Sequence, residues 1–275
     1  MCGIFAIFSS ALPEVDLRRE LIACSSRLRH RGPDWSGYMV ISADPEKGIA
    51  LPHGIAHERL AIMDPESGSQ PLVSHDGAVI CAANGEIYNY KELYESLHAP
   101  YTPKTGSDCE VILPLYDEHG PTIALPRLLR GMFSFILYDR KKDLYFIVRD
   151  HLGITPLYIG WGNDGSVYIA SEMKSLIGEC SKFQQFPPGH IYTNKGPKAG
   201  EFERWFTPDW APDMKPGRTP PSGTYQPVST GLALNFELHC IITFFIIVYV
   251  SFFSPYHTSI RTFCVMLLKR LLSDA

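Results

Sequence analysis

Short apolar runs, broken at close intervals by Gly, Pro and Asp, fill the first 205 residues of the chain. Runs rich in Ile, Val, Phe and Tyr are typical of β-strands, and the turn residues between them favour a sheet-rich α+β domain. Helices are predicted at 17–29 and 108–119, where apolar residues recur at helical spacing and Asp108 is a candidate N-cap. The predicted strands are 3–8, 54–63, 78–83, 133–138, 144–148, 157–161 and 167–170.

Charge and cysteine content exclude several classes of protein. The chain carries 25 Lys and Arg against 29 Asp and Glu, a net charge of -4, so neither nucleic acid nor an anionic membrane surface is an expected partner. Its seven cysteines are odd in number and contain no CxxC pair, which argues against a disulfide framework and a metal site. Without a secretory signal in the first 25 residues, a reducing, cytoplasmic location is expected.

The C-terminal part differs in composition. Six prolines lie between residues 205 and 227, and residues 211–227 are interpreted as a Pro-rich linker. Residues 238–260 contain no Asp, Glu, Lys or Arg, but their dense apolar core, 238–253, would extend only ~24 Å as a helix against a hydrocarbon layer of ~30 Å. A membrane anchor is therefore not the favoured interpretation.

The first residues offer a nucleophile that carries its own base. The chain opens Met1-Cys2-Gly3, and a small residue after the initiator Met permits its removal, which would make Cys2 the first residue. A free α-amine titrates near pH ~8 and can accept the proton of the adjacent thiol. The alternative is that the chain begins Met-Cys by chance, so other residues must support a catalytic role.

Three other segments match the parts of an amino-acid amide. Arg59, at the edge of an apolar strand, could clamp a carboxylate. Asn84-Gly85 could form an oxyanion hole from a side-chain amide and a backbone N–H, although Asn-Gly between apolar runs is also the leading hairpin signal. Asp108 could accept a hydrogen bond from an ammonium, or it could cap a helix. Each alternative stays open at this point.

Eight ordered segments together resemble the glutaminase domain of glutamine-dependent asparagine synthetases, a class II glutamine amidotransferase family of the N-terminal-nucleophile type. The resemblance covers residues 2–210 and implies an αββα four-layer sandwich. The segments are MCGI at 1–4, RHRGPD at 29–34, RLAIMD at 59–64, NGEIYN at 84–89, TGSDCEV at 105–111, RD at 149–150 with PLY at 156–158, SEMK at 171–174 and FPPGH at 186–190.

The resemblance also implies a reaction and a binding site. Cys2 would attack the side-chain amide of glutamine to give a thioester and ammonia, and Asn84 with Gly85 would stabilise the oxyanion. Asp108 and Glu86 would hold the substrate α-ammonium. No cofactor or metal is implied for this domain. The remaining substrate-binding residues implied are Arg59, for the α-carboxylate, and Leu60, Ala61, Ile62 and Met63, through their main-chain groups.

The family's synthetase domain, which binds ATP and Mg and amidates aspartate, is not expected in this chain. Its pyrophosphate-binding run Ser-Gly-Gly-x-Asp-Ser does not occur in the sequence. Residues 265–275 resemble the start of that domain, and residues 228–264 are interpreted as an anomalous apolar segment translated from a retained intron. Glutamine hydrolysis is then the most that the chain is expected to perform, because the ammonia-accepting synthetase domain is missing.

Two other interpretations of the chain's function remain. Further class II amidotransferases share the Cys-Gly-Ile start and an Asn-Gly pair, although the RHRGPD and FPPGH segments argue against them. The chain could instead be a catalytically silent or membrane-associated fragment whose fate depends on the apolar tail. A homodimer is left open as a partner.

Deletion of the residues after 227 tests the interpretation of the tail. We expect the shortened chain to give more soluble protein, because an uncovered apolar segment drives aggregation at ~25 cal/mol per Å². Ammonia release from glutamine should be retained, since every candidate pocket residue precedes residue 110. The two proteins are compared for soluble yield and ammonia release. A shortened chain that folds worse or loses activity would show that the tail packs on the domain.

Overall fold

The computed structural model describes residues 1–62, 64 and 66–207, and twelve strands in this part of the chain form two six-stranded antiparallel sheets. The first sheet has the order β10-β8-β9-β1-β3-β2, and the second has the order β12-β11-β7-β6-β5-β4. The strands are β1 (Gly3–Phe8), β2 (Trp35–Ile41), β3 (His53–Arg59), β4 (Leu72–Val73), β5 (Val79–Ile87), β6 (Gly131–Asp139), β7 (Leu144–Arg149), β8 (Tyr158–Trp161), β9 (Val167–Ala170), β10 (Lys182–Gln185), β11 (His190–Thr193) and β12 (Phe202–Arg204).

The two sheets pack face to face through alternate residues of their strands. Side chains alternate between the two faces of a strand, so every second position of β1 and β5 enters the layer between the sheets. Phe8 of β1 stacks on Tyr145 of β7, with ring centroids 4.4 Å apart. The buried side chains of this layer include Ile4, Ala6, Phe8, Ile55, Ile80, Ala82, Ile136, Tyr138, Ile147 and Ile169.

Helices cover the outer faces of both sheets. The helix α1 (Glu14–Ser26) buries Leu17, Leu21 and Cys24 against the first sheet. Residues of α2 (Tyr90–Ser96), α3 (Ile112–His119) and α4 (Ala124–Leu128) pack on the second sheet in a separate core cluster. Short 3₁₀ helices occur at Pro45–Lys47, Asp108–Val111 and Met173–Ser175. The layer order is helix, sheet, sheet, helix, which confirms the expected αββα sandwich.

Several local predictions need correction. The strand predicted at 54–63 ends at Arg59, and the one predicted at 78–83 continues to Ile87 because Asn84 and Gly85 remain paired with β6. The hairpin interpretation of Asn84-Gly85 is therefore wrong. Asp108 is the first residue of a 3₁₀ helix whose N-cap position is Ser107, so the prediction of Asp108 as N-cap is also wrong.

The predictions for the C-terminal part lie outside the described residues. This holds for the linker at 211–227, the apolar segment at 228–264, the stretch at 265–275 and the last three residues of the domain predicted at 2–210. Within the described part of the chain, the structure contains no helix long and apolar enough to cross a membrane.

Candidate active site

The layer between the sheets becomes polar at one end. Strand alternation that buries Ile4 and Ile55 on the inner face of the first sheet also places His57 and Arg59 there. On the second sheet the same alternation continues from Ala82 to Asn84, which pairs with Ser134 of β6. Cys2, immediately before β1, has the inward parity of Ile4. Both sheets thus contribute polar side chains to one end of an otherwise apolar layer.

The Cys2 thiol lies against the main chain of Leu60. The Leu60 N–H donates a hydrogen bond to Sγ at 3.4 Å, and the Leu60 carbonyl oxygen lies 3.7 Å from Sγ. Burial raises the pKa of the Cys2 thiol above its ordinary value. Burial also lowers the pKa of the α-amine of Met1. The thiol is therefore protonated at neutral pH, and its use as a nucleophile requires a base.

The RHRGPD segment fixes Cys2 and the loop beside it. Arg31 Nε donates to the Cys2 carbonyl oxygen at 2.9 Å, and Arg31 Nη1 lies 3.0 Å from Glu172 Oε1. Asp34 Oδ2 accepts from the Ala61 N–H at 2.8 Å. Sequence reasoning gave none of these three charged residues a role. Their partners lie far away along the chain, so sequence alone could not pair them. The one signal for a role was that these residues belong to the RHRGPD and SEMK segments.

Asn84 is buried in β5 with an unused amide. Its side chain is 1% exposed, and neither its oxygen nor its nitrogen has a hydrogen-bond partner among the described residues. A buried amide without hydrogen-bond partners lowers the stability of the fold. Such amides are therefore uncommon unless the group binds a ligand. The structure therefore places the predicted oxyanion donor in the polar end of the layer with its hydrogen-bonding capacity available.

Gly85 permits close packing at the same position. Its φ is +150°, and a Cβ there would lie 2.0 Å from the carbonyl oxygen of Met132. The Ile87 N–H, two residues on, donates to Asp108 Oδ2 at 2.5 Å, away from β6. Because main-chain groups of alternate residues point to the same side of a strand, the Gly85 N–H also points away from β6. It faces the edge of β5 beyond the end of β4.

Arg59 reaches the loop that follows β3. The side chain is 6% exposed, and its guanidinium donates to the main-chain oxygen of Asp64. Asp64 Oδ2 in turn accepts from the Gly106 N–H at 2.7 Å, so the loop is tied to the segment before Asp108. Of the predicted loop residues, Leu60 and Ala61 are partly buried, Ile62 is 60% exposed, and Met63 lies outside the described residues.

Asp108 and Glu86 flank the end of β5. Asp108 is 5% exposed, and burial raises the pKa of its carboxyl group. Glu110, also buried, accepts from the main chain of Lys104 and Thr105 and so holds the loop before Asp108. Glu86 is partly buried, and its charge acts on the α-amine of Met1, which places it near the N-terminus. No group of three or more metal-ligating side chains occurs in residues 1–62, 64 and 66–207.

Comparisons with known proteins agree on one family. A family model described as glutamine amidotransferase domain matches residues 1–192. A glutamine-hydrolyzing asparagine synthetase of Sandersonia aurantiaca is 47% identical over 216 residues, covering 78% of this chain and 38% of that protein. An Arabidopsis thaliana protein of the same description is 48% identical over 216 residues, 78% of this chain and 35% of that protein. The chain thus spans less than half the length of these curated relatives.

Solved structures share the fold at low sequence identity. A glutamine phosphoribosylpyrophosphate amidotransferase of B. subtilis matches with a TM-score of 0.57 and 20% identity, covering 75% of this chain and 50% of that one. A structure described as the allosteric regulatory enzyme of purine biosynthesis matches with a TM-score of 0.59 and 21% identity, with the same coverage. These likenesses support the sandwich architecture.

Alkylation by iodoacetamide should distinguish Cys2 from the other described cysteines. Cys2 is partly exposed, whereas Cys24, Cys81 and Cys109 are buried with raised thiol pKa values. We expect the Cys2 peptide to be labelled first, and faster as the pH rises from 7 to 9, because the thiolate fraction grows toward its raised pKa. Cys180, with its pKa raised to about 12, should follow. Peptide mass mapping measures this order, and equal labelling of Cys81 would contradict it.

Proposed function

The chain belongs to the glutamine amidotransferase domain family, and on that premise we propose that it hydrolyses the side-chain amide of glutamine with Cys2 as the nucleophile. The observation that carries this proposal is the buried Asn84 amide, which has no partner among the described residues and shares the polar end of the layer with Cys2. Such an amide is suited to a charge that appears only during the reaction.

The proposed reaction begins after removal of Met1. The free α-amine of Cys2 accepts the thiol proton, and Sγ attacks the amide carbon of glutamine. Asn84 Nδ2 and the Gly85 N–H donate to the oxyanion of the tetrahedral intermediate. The α-ammonium then returns the proton to the departing nitrogen, so ammonia leaves and a thioester remains. Attack by water on the thioester, assisted by the same amine, releases glutamate and restores the thiol.

Substrate binding uses the charges that surround this centre. We propose that Arg59 binds the α-carboxylate of glutamine while the Asp64 carbonyl oxygen keeps the guanidinium in place. Asp108 and Glu86 bind the α-ammonium from the side of β5. The main-chain groups of the loop after β3 line the pocket between them. Those groups belong to Leu60, Ala61, Ile62 and Met63.

The fate of the ammonia is proposed from the relatives. Because sequences 47% and 48% identical to this chain are named glutamine-hydrolyzing asparagine synthetases, we propose that residues 2–210 serve a synthetase domain that amidates aspartate with ATP and Mg. The solved phosphoribosylpyrophosphate amidotransferase is only 20% identical and supports the fold rather than that acceptor. We also propose that residues 211–227 form a linker, that 228–264 are an anomalous apolar segment, and that 265–275 begin a synthetase domain. The proposed location is the cytoplasm.

Replacement of Cys2 by Ala should abolish ammonia release from glutamine. The other partly exposed cysteine among the described residues, Cys180, has no α-amine of its own to act as a base, and its thiol pKa is raised to about 12. The matched controls are Cys24→Ala, Cys81→Ala and Cys109→Ala, which should keep the turnover rate of their folded fraction. Ammonia release and unfolding temperature are measured for each variant. Retention of activity by Cys2→Ala would refute the proposed mechanism. A variant that blocks Met1 removal should be equally inactive, since the base would be an amide nitrogen.

Variants of Asn84 and Arg59 should affect different kinetic constants. Asn84→Ala removes an oxyanion donor and should lower kcat by about 100-fold or more with little change in KM. Arg59→Ala and Asp108→Ala remove charges that bind the ground state as well, so each should raise KM for glutamine, Arg59→Ala by about 30-fold or more. Steady-state ammonia release measures both constants. Unchanged turnover in Asn84→Ala would contradict an oxyanion role.

Two variants outside the candidate site serve as controls for the Asn84, Arg59 and Asp108 variants. Asn194→Ala removes a partly buried amide that accepts from the Tyr145 N–H, and Arg127→Ala removes a guanidinium bonded to the Trp205 carbonyl oxygen. Both should cost stability without changing either kinetic constant more than about twofold.

A further inference from the structure

The main chain of Ala83 lies on an edge that β4 leaves uncovered. β4 pairs with β5 only through Leu72 with Cys81 and Val73 with Ile80, so the strand partner ends before Ala83. Two side chains take its place. Gln70 Oε1 accepts from the Ala83 N–H at 2.7 Å, and His57 Nε2 lies 3.0 Å from the Ala83 carbonyl oxygen. Both main-chain hydrogen-bonding groups of Ala83 are thus held by side chains rather than by a strand.

The His57 contact joins the two sheets. His57 is fully buried on β3 of the first sheet, and Ala83 lies on β5 of the second. Burial lowers the pKa of His57 to about 4, so the ring is neutral at pH 7. Because Nε2 faces a carbonyl oxygen, it carries the ring proton and donates it. The other ring nitrogen, Nδ1, has no partner among the described residues, a cost that an apolar side chain would avoid.

We propose that His57 is a positioning residue for the oxyanion donors, holding the Ala83 peptide unit so that Asn84 and Gly85 stay in place for the reaction. This inference rests on the proposed glutaminase function. Ala83 directly precedes Asn84, and a donor displaced by about 1 Å can slow a reaction by about 100-fold. Gln70 fixes the N–H of Ala83, in the preceding peptide unit, and assists His57.

Loss of this contact should change turnover rather than binding. An oxyanion exists only during the reaction, so misplaced donors lower kcat and leave KM nearly unchanged. We expect His57→Leu to lower kcat by about 10-fold or more, with KM within about threefold of the unsubstituted protein. His57→Gln offers an amide N–H to the Ala83 carbonyl oxygen and should recover most of the turnover.

A buried histidine at the other end of the same strand provides a matched control. His53 is 1% exposed, accepts from the Ser9 N–H at 2.9 Å and lies 3.0 Å from Asp143, among the residues that pack away from the polar end. His53→Leu should lower the unfolding temperature as His57→Leu does, without lowering the kcat of the folded protein. If His57→Leu does not fold, Gln70→Met removes the other contact to Ala83 and should lower kcat in the same way.

The experiment measures initial rates of ammonia release, unfolding temperature and amide hydrogen exchange in peptides covering 80–88, all on the full chain. Faster exchange at 80–88 together with lower kcat in His57→Leu, neither seen in His53→Leu, is the expected result. Unchanged kcat in His57→Leu, a loss shared by His53→Leu, or a rise in KM alone would overturn the inference. An unsubstituted chain that releases no ammonia would instead refute the proposed function itself.

Discussion

Packing of the two sheets through their inner faces is the constraint on which the site depends. The apolar side chains between the sheets hold β1 and β3 at a fixed spacing from β5. Period-two alternation then determines which residues meet where that apolar layer ends. Residues 57 and 59 continue the inner row of Ile55, and residue 84 continues the inner row of Ala82. The site is therefore the polar continuation of a hydrophobic core.

That continuation leaves the domain with polar groups that its own fold does not satisfy. Within residues 1–62, 64 and 66–207, the unpartnered buried atoms include both amide atoms of Asn84, Ser134 Oγ, His57 Nδ1 and Arg31 Nη2. Asn84 and Ser134 face each other across β5 and β6, and His57 contacts the peptide unit before Asn84. Such groups lower stability, and their presence at the polar end of the layer between the sheets is typical of sites where a ligand completes the hydrogen bonds.

The Ile, Val, Phe and Tyr runs predicted a sheet-rich α+β domain and the strands that carry the site. The four-layer sandwich came only from the resemblance of eight short segments to a known family. Sequence reasoning failed at Asn84-Gly85, where the local turn preference is overridden by pairing with β6 from one end of β5 to the other. Arg31 and Gln70 could not have been given partners from the sequence, because each acts on a main-chain group that only the folded sheets bring near. Strands as short as β4 and β12 contain too few residues to show period-two alternation, so the sequence did not predict them.

Anchoring of the N-terminus connects the fold to the chemistry. Chain ends usually fray, but Arg31 Nε bonds the Cys2 carbonyl oxygen and Ser171 Oγ accepts from the Ile4 N–H. Because the nucleophile and its proposed base would share residue 2, orientation of that one residue sets the geometry of proton transfer. The proposed oxyanion donors, Asn84 and Gly85, by contrast, lie on the opposite sheet and need their own support. The His57 contact to Ala83 links β3, which neighbours Cys2, directly to β5, and in our proposal it supplies that support.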